Sequence, residues 1–131
     1  MAFDFESFPE FEFVNQDIDD DIKLQMLFAE LHRVERTLEI HGSPYVFVED
    51  ENVRFSVDSG KKRFENHRAW LQETICSESW DNTISCNRME LLRTILDLIS
   101  LRDIHPYVVL ILAQIVTLRG PQHLCAGAWN A

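Results

Sequence analysis

The stretch from Val108 to Leu118 most restricts how this chain can fold, because it is apolar almost all round. Pro106 stands just before it, at a position that suits the first turn of a helix, and Gly120-Pro121 ends it. A helix without a polar face lies at the centre of a fold or in a subunit interface. We therefore expect a helix over 106–119 that either forms the centre of the core or joins two chains in a homodimer.

Three other helices are predicted from apolar residues at spacings of three and four. The first covers 19–41, with Asp19, Asp20 and Asp21 at its start, where the helix dipole favours anions, and Gly42 at its end. The second covers about 60–76. The third follows Asn87, which has the spacing of a capping box with Glu90.

Residues 45–57 have the pattern of a β-hairpin. Tyr45 to Val48 is β-branched and aromatic, 49–52 is polar, and Val53, Phe55 and Val57 alternate with polar residues. Two strands alone are marginal in water, so a third partner is expected. The sequence therefore predicts an α+β fold in which four helices pack with a small antiparallel hairpin.

The first 21 residues carry eight acidic side chains and no Lys or Arg. The whole chain has a net charge of −10, but without this segment the net charge is only −2. Within it, residues 1–18 form an arm in which phenylalanines alternate with carboxylates, and Pro9 divides the arm in two. Period-two alternation is typical of an edge strand, so the arm is a candidate third strand. Residues 19–131 are expected to form one globular domain.

Acidic and aromatic residues in one segment also favour binding to a basic partner protein. The leading hypothesis is a non-enzymatic regulator, an inhibitor or immunity-type protein whose carboxylates imitate a nucleic acid. The expected partner-binding residues are Asp4, Phe5, Glu6, Phe8, Glu10, Phe11, Glu12, Asp17, Asp19, Asp20 and Asp21. On this hypothesis, deleting residues 2–18 weakens binding and leaves the rest folded. The alternative is that the phenyl rings complete the core.

Two other functions remain open. One is a dimeric acidic chaperone or adaptor, and the other is a small enzyme with a site near His67, Cys76 and Cys86. The negative charge disfavours direct binding to nucleic acid or to an anionic membrane. A basic cluster, Lys61, Lys62, Arg63 and Arg68, is expected to be solvated or to pair with the acidic arm.

No cofactor or metal is predicted, since glycine-rich phosphate loops and metal-ligand spacings are missing from the sequence. The three cysteines form no C-x-x-C pair, and their odd number disfavours a disulfide framework. The N-terminus lacks the basic region of a targeting signal, and the longest apolar run is too short to cross a bilayer. Reduced thiols and a cytoplasmic location are therefore expected.

Overall fold

The computed structural model describes residues 5–43, 53–77 and 87–126, and these residues form helices and no strand. Two 3-10 helices cover the arm, at Phe5–Ser7 and Pro9–Asn15. The α-helices are α1 (Asp20–His41), α2 (Val53–Ile75), α3 (Arg88–Ile99), α4 (Pro106–Arg119) and α5 (Pro121–Cys125).

The prediction of an α+β fold is wrong. Its second strand, 53–57, is the first part of α2, while the whole of the first strand and the turn, 45–52, lies outside the described residues. Val57 is buried and Phe55 is half exposed, so the two do not share one buried face. Val57 instead continues the helical spacing of Phe64. Burial on one face of a long helix thus outweighs the β propensity of the segment.

The described part of the arm, 5–18, is mostly 3-10 helix, so it does not supply a third strand, and residues 1–4 lie outside the described residues. Phe5, Phe8, Phe11 and Val14 recur every three residues, which is the repeat of a 3-10 helix. Pro9 occupies the first turn of the second 3-10 helix, where its missing N–H costs nothing. The period of three places four apolar side chains on the face that meets the core.

The predicted start of α1 at residue 19 is one residue early, and its predicted end before Gly42 is confirmed. Asp19 accepts a hydrogen bond from the backbone N–H of Asp21 at 2.9 Å, and Gly42 ends the helix with a φ of 72°. The carboxamide of Asn87 likewise accepts from the backbone N–H groups of Met89 and Glu90 at the start of α3. These ends depend on neighbours in sequence, which is why the sequence predicts them well.

The prediction of a central helix over 106–119 is confirmed. Residues 108–117 of α4 are all buried, with α1 and α3 packed against the helix. Its apolar circumference is therefore covered within a single chain. The reason for expecting a homodimer through this helix is no longer present.

Helices α1 and α2 come into close contact at Gly60. A Cβ atom added there would lie 2.9 Å from Phe28 Cα and closer still to the Phe28 carbonyl group. Only a residue without a side chain allows the backbones to meet in this way. Arg63, one turn further along α2, binds Glu39 of α1 at 2.6 Å. The basic cluster on α2 therefore pairs at Arg63 with α1 and not with the acidic arm.

A disulfide joins Cys76, at the end of α2, to Cys125, at the end of α5. The expectation of reduced thiols at these two positions is wrong in this structure. The two residues are separated by 49 positions, and their Cα atoms are 5.4 Å apart. Sequence spacing does not reveal such a pair, because only the packing of α5 beside α2 brings it together. Cys86 lies outside the described residues.

Candidate functional site

Phenylalanines of the acidic arm pack inward. Phe5 is 9% exposed and Phe11 is 3% exposed. Phe8 is half-buried, with its ring centroid 5.7 Å from that of Tyr107. Phe5 and Phe11 are thus part of the core and do not present their rings to another molecule. Their positions agree with the alternative in which the arm completes the core.

Two buried polar side chains hold the arm by its backbone. Lys23 of α1 donates from Nζ to the carbonyl oxygen of Val14 at 2.7 Å, and Gln114 of α4 donates from Nε2 to that of Glu10 at 2.6 Å. Lys23 is 2% exposed and Gln114 is 1% exposed. Buried polar groups of this kind require partners, and here the partners are main-chain carbonyls. The side-chain carboxylates of the arm are left to face outward.

Two of the predicted carboxylates are bound by arginines of α3. Glu6 accepts from Arg93 Nε at 2.6 Å, and Asp20 accepts from Arg88 Nη1 at 2.9 Å. The guanidinium of Arg88 holds the pKa of Asp20 below its ordinary value. Because all four side chains are well exposed, each pair contributes at most about 1 kcal/mol to stability. These two carboxylates are largely neutralised within the chain.

Four other predicted carboxylates keep their charge uncompensated. They are exposed, and within the described part of the chain none forms an ion pair. The four are Glu12, Asp17, Asp19 and Asp21. Asp4 lies outside the described residues. The stretch from the second 3-10 helix to the first turn of α1 is therefore a negatively charged edge, which we call the acidic edge.

A cleft of about 290 Å³ opens between the arm, α1 and α4. Most of its lining is apolar: Phe13, Met26, Leu27, Leu110 and Ile111. The polar lining consists of Glu10, Glu30, Tyr107 and Gln114. Pockets that hold small ligands usually have volumes of about 300–1,000 Å³, so this cleft has the size for a single large side chain or a small fragment.

The charges around the cleft differ in how far they are neutralised. Glu30 binds Arg33, whose Nε lies 3.1 Å from Glu30 Oε2, and this hydrogen bond raises the pKa of Arg33. Within the described segments, the Glu10 carboxylate accepts one hydrogen bond, from the hydroxyl of Tyr107 at 3.4 Å. Burial, together with the nearby Glu30 and Glu10, raises the pKa of Tyr107 to about 12. At neutral pH Tyr107 is therefore a neutral donor, and Glu10 supplies the negative charge.

Two of the three residues proposed for an enzyme site, His67 and Cys76, are otherwise engaged, and the third, Cys86, lies outside the described residues. Cys76 is in the disulfide and so is not a nucleophile. Trp70 Nε1–H donates to His67 Nδ1 at 3.0 Å, so the ring proton lies on Nε2, which donates to Glu35 at 2.9 Å. Both ring nitrogens of His67 are thus used, Nδ1 within α2 and Nε2 in joining α2 to α1. Neither nitrogen is left to take a proton from a substrate.

The described segments contain neither a candidate metal site nor a candidate membrane-spanning helix. Residues 5–43, 53–77 and 87–126 contain no group of three or more His, Cys, Asp or Glu side chains placed to hold a metal ion. None of the helices in these segments combines the length and the apolar character needed to cross a bilayer. Comparisons with protein-family models, with curated proteins and with solved structures returned no match.

Sequence reasoning missed the cleft and both side chains that hold the arm. For each of these two side chains, the sequence itself contains one signal. Gln114 is a single carboxamide inside the otherwise apolar stretch of α4, and Lys23 is a charged residue immediately before Leu24, at the start of the apolar stripe of α1. A polar residue in a buried stripe indicates a specific buried partner, although the sequence does not say which one.

Proposed function

We propose that this protein is a non-enzymatic regulator that binds a basic partner protein through the acidic edge. The observation that supports the proposal is the set of four exposed carboxylates with no ion pair within the described residues. Spaced carboxylates on a rigid surface raise the rate of association with a basic protein and oppose binding of acidic ones. They also resemble the phosphates that a nucleic-acid-binding partner recognises.

The mode of binding differs from that expected from sequence. The arm contributes its carboxylates and its backbone shape, while Phe5 and Phe11 stay in the core. A folded, pre-ordered surface loses little conformational entropy when it binds. A cytoplasmic location remains part of the proposal, and in that compartment the Cys76–Cys125 pair would meet a reducing thiol pool.

The test compares two variants with the same net charge. In the first, the acidic edge is neutralised by Glu12→Gln, Asp17→Asn, Asp19→Asn and Asp21→Asn. In the matched control, four exposed carboxylates elsewhere are neutralised by Asp58→Asn, Glu73→Gln, Asp97→Asn and Asp103→Asn. Asparagine remains a good N-cap, so Asp19→Asn preserves the start of α1.

Each protein is immobilised and used to capture proteins at low and at moderate salt. We expect wild type and control to retain the same basic protein in a salt-sensitive manner, and the edge variant to lose it. Equal retention by both variants would show that total charge, and not the acidic edge, accounts for binding. Retention of an acidic protein alone would also contradict the proposal.

A further inference from the structure

An exposed apolar stripe on α1 leads into the cleft. Ile22 is 51% exposed and Met26 is 48% exposed, and the two are separated by four residues, so they lie on one face of the helix. Met26 also lines the cleft. Adjacent large apolar side chains on the surface of a small acidic protein are typical of an interaction site. The stripe and the cleft together form one continuous apolar track.

Gln114 adds a hydrogen-bond acceptor to the lining of the cleft, beside the carboxylates of Glu10 and Glu30 and the hydroxyl of Tyr107. Because Gln114 uses Nε2 on the carbonyl of Glu10, its other polar atom is the oxygen Oε1. Within the described residues Oε1 accepts no hydrogen bond. The Glu10 and Glu30 carboxylates already accept hydrogen bonds, from Tyr107 and Arg33 respectively. A largely apolar pocket with an unused amide oxygen suits a large apolar group that carries one N–H donor. Among side chains, the indole of tryptophan has this composition.

The surroundings of the track are negatively charged. Asp19 and Asp21 lie three residues and one residue before Ile22, and Glu10 lines the cleft. A partner that lies along the track therefore gains if it carries lysine or arginine beside its apolar face. A helix that combines an apolar face with basic flanks docks in apolar grooves of this kind.

We propose that the track is the anchor site for a cationic amphipathic helix of the partner protein. One tryptophan of that helix enters the cleft and donates its indole N–H to Gln114 Oε1. The neighbouring apolar side chains cover Ile22 and Met26, and the basic side chains face Asp19, Asp21 and Glu10. This inference rests on the proposed function, and it adds the chemistry of the partner segment and the position of its anchor.

The experiment measures binding of a synthetic peptide of about four helical turns by isothermal titration calorimetry. The peptide has lysines on one face and leucines with a single tryptophan on the other. Three control peptides replace the tryptophan by alanine, replace it by naphthylalanine, or replace every lysine by glutamate. We expect each of the three to bind more weakly than the parent peptide. Equal affinity of the alanine peptide would overturn the anchor, and equal affinity of the naphthylalanine peptide would overturn the role of Gln114.

A pair of protein variants separates the apolar anchor from simple charge attraction. Met26→Glu removes an apolar wall of the cleft but adds a negative charge, and Ile40→Glu makes the same kind of change at a site on α1 that is 55% exposed and does not line the cleft. We expect Met26→Glu to weaken peptide binding by about tenfold, and Ile40→Glu to leave it within about twofold. Unchanged or tighter binding by Met26→Glu would overturn the proposal.

The same peptide distinguishes the two proposals. If neutralising the acidic edge weakens binding while Met26→Glu does not, the regulator proposal stands and the anchor site fails. If Met26→Glu weakens binding while the edge variant does not, the apolar anchor stands, and both the regulator proposal and the pairing of basic side chains with Asp19 and Asp21 fail. Sedimentation of wild type adds one further outcome. A dimer that Met26→Glu converts to a monomer would show that a second copy of the chain, and not a basic helix, covers the track.

Discussion

Deleting residues 2–18 should unfold this protein, contrary to what the sequence predicts. The deletion removes three buried apolar side chains, Phe5, Phe11 and Val14. Burying a side chain of this type stabilises a fold by about 1.5–3 kcal/mol, so the three together contribute about 5–9 kcal/mol. The total free energy of unfolding of a natural domain is about 5–15 kcal/mol. The truncated chain would therefore lose most or all of its stability.

The assay is urea denaturation of the full and truncated chains, followed by circular dichroism, with binding of a hydrophobic dye as a second signal. We expect the truncated chain to show no cooperative transition, or a midpoint shifted far toward zero urea, and to bind dye. Arg93→Ala is a useful control, because it removes the exposed pair with Glu6 and the contact of the guanidinium with the Phe11 ring at 5.6 Å, and should cost at most about 2 kcal/mol. A truncated chain with the midpoint of the full chain would refute the assignment of the arm to the core.

Three further predictions concern Gly60, the Cys76–Cys125 disulfide and Tyr107. Gly60→Ala should lower the urea midpoint, because the added Cβ forces α1 and α2 apart and lowers the free energy of unfolding by about 1–3 kcal/mol. Ser59→Ala, at the neighbouring position, should be nearly neutral. A Gly60→Ala variant that is more stable than wild type would contradict the close approach of the two helices. Replacing Cys76 and Cys125 by serine should cost up to about 4 kcal/mol, given the separation of 49 residues, and mass spectrometry of unreduced protein must show the bond in wild type. Tyr107 should ionise at a pKa of about 12 in a spectrophotometric titration after the other tyrosine is changed to phenylalanine. Because this pKa lies above that of a tyrosine in the unfolded chain, the stability that the neutral Tyr107 contributes to the fold is present below pH 10 and is lost as the pH rises through 12.

Local features of the chain were predicted well. The start and end of α1, the cap of α3 at Asn87 and the central place of α4 all depend on residues that are neighbours in sequence or lie on one helix. A cap needs one side chain within three residues of the helix start, and an apolar circumference needs only the composition of one segment. Such features are complete in the sequence before any tertiary contact forms.

The candidate site was predicted only in part. The negative charge near the N-terminus was visible, and four of its carboxylates are exposed without an ion pair in the described part of the chain. The burial of Phe5 and Phe11 was not visible in the sequence. The alternation of phenylalanine and acidic residues fits a strand, whereas the spacing of three residues fits a 3-10 helix. Which repeat is used depends on the surface that the arm meets.

Composition and local pattern alone thus determined that the chain is acidic at one end, forms amphipathic helices and has α4 at its centre. Only the tertiary structure decided that the described part of the arm forms 3-10 helices with Phe5 and Phe11 in the core, that Cys76 meets Cys125, and that a cleft opens beside Met26. The reason is physical. Hydrogen bonds within a helix join residues close in sequence, whereas burial, the pairing of distant thiols and the shape of a cleft depend on which surfaces the folded chain brings together.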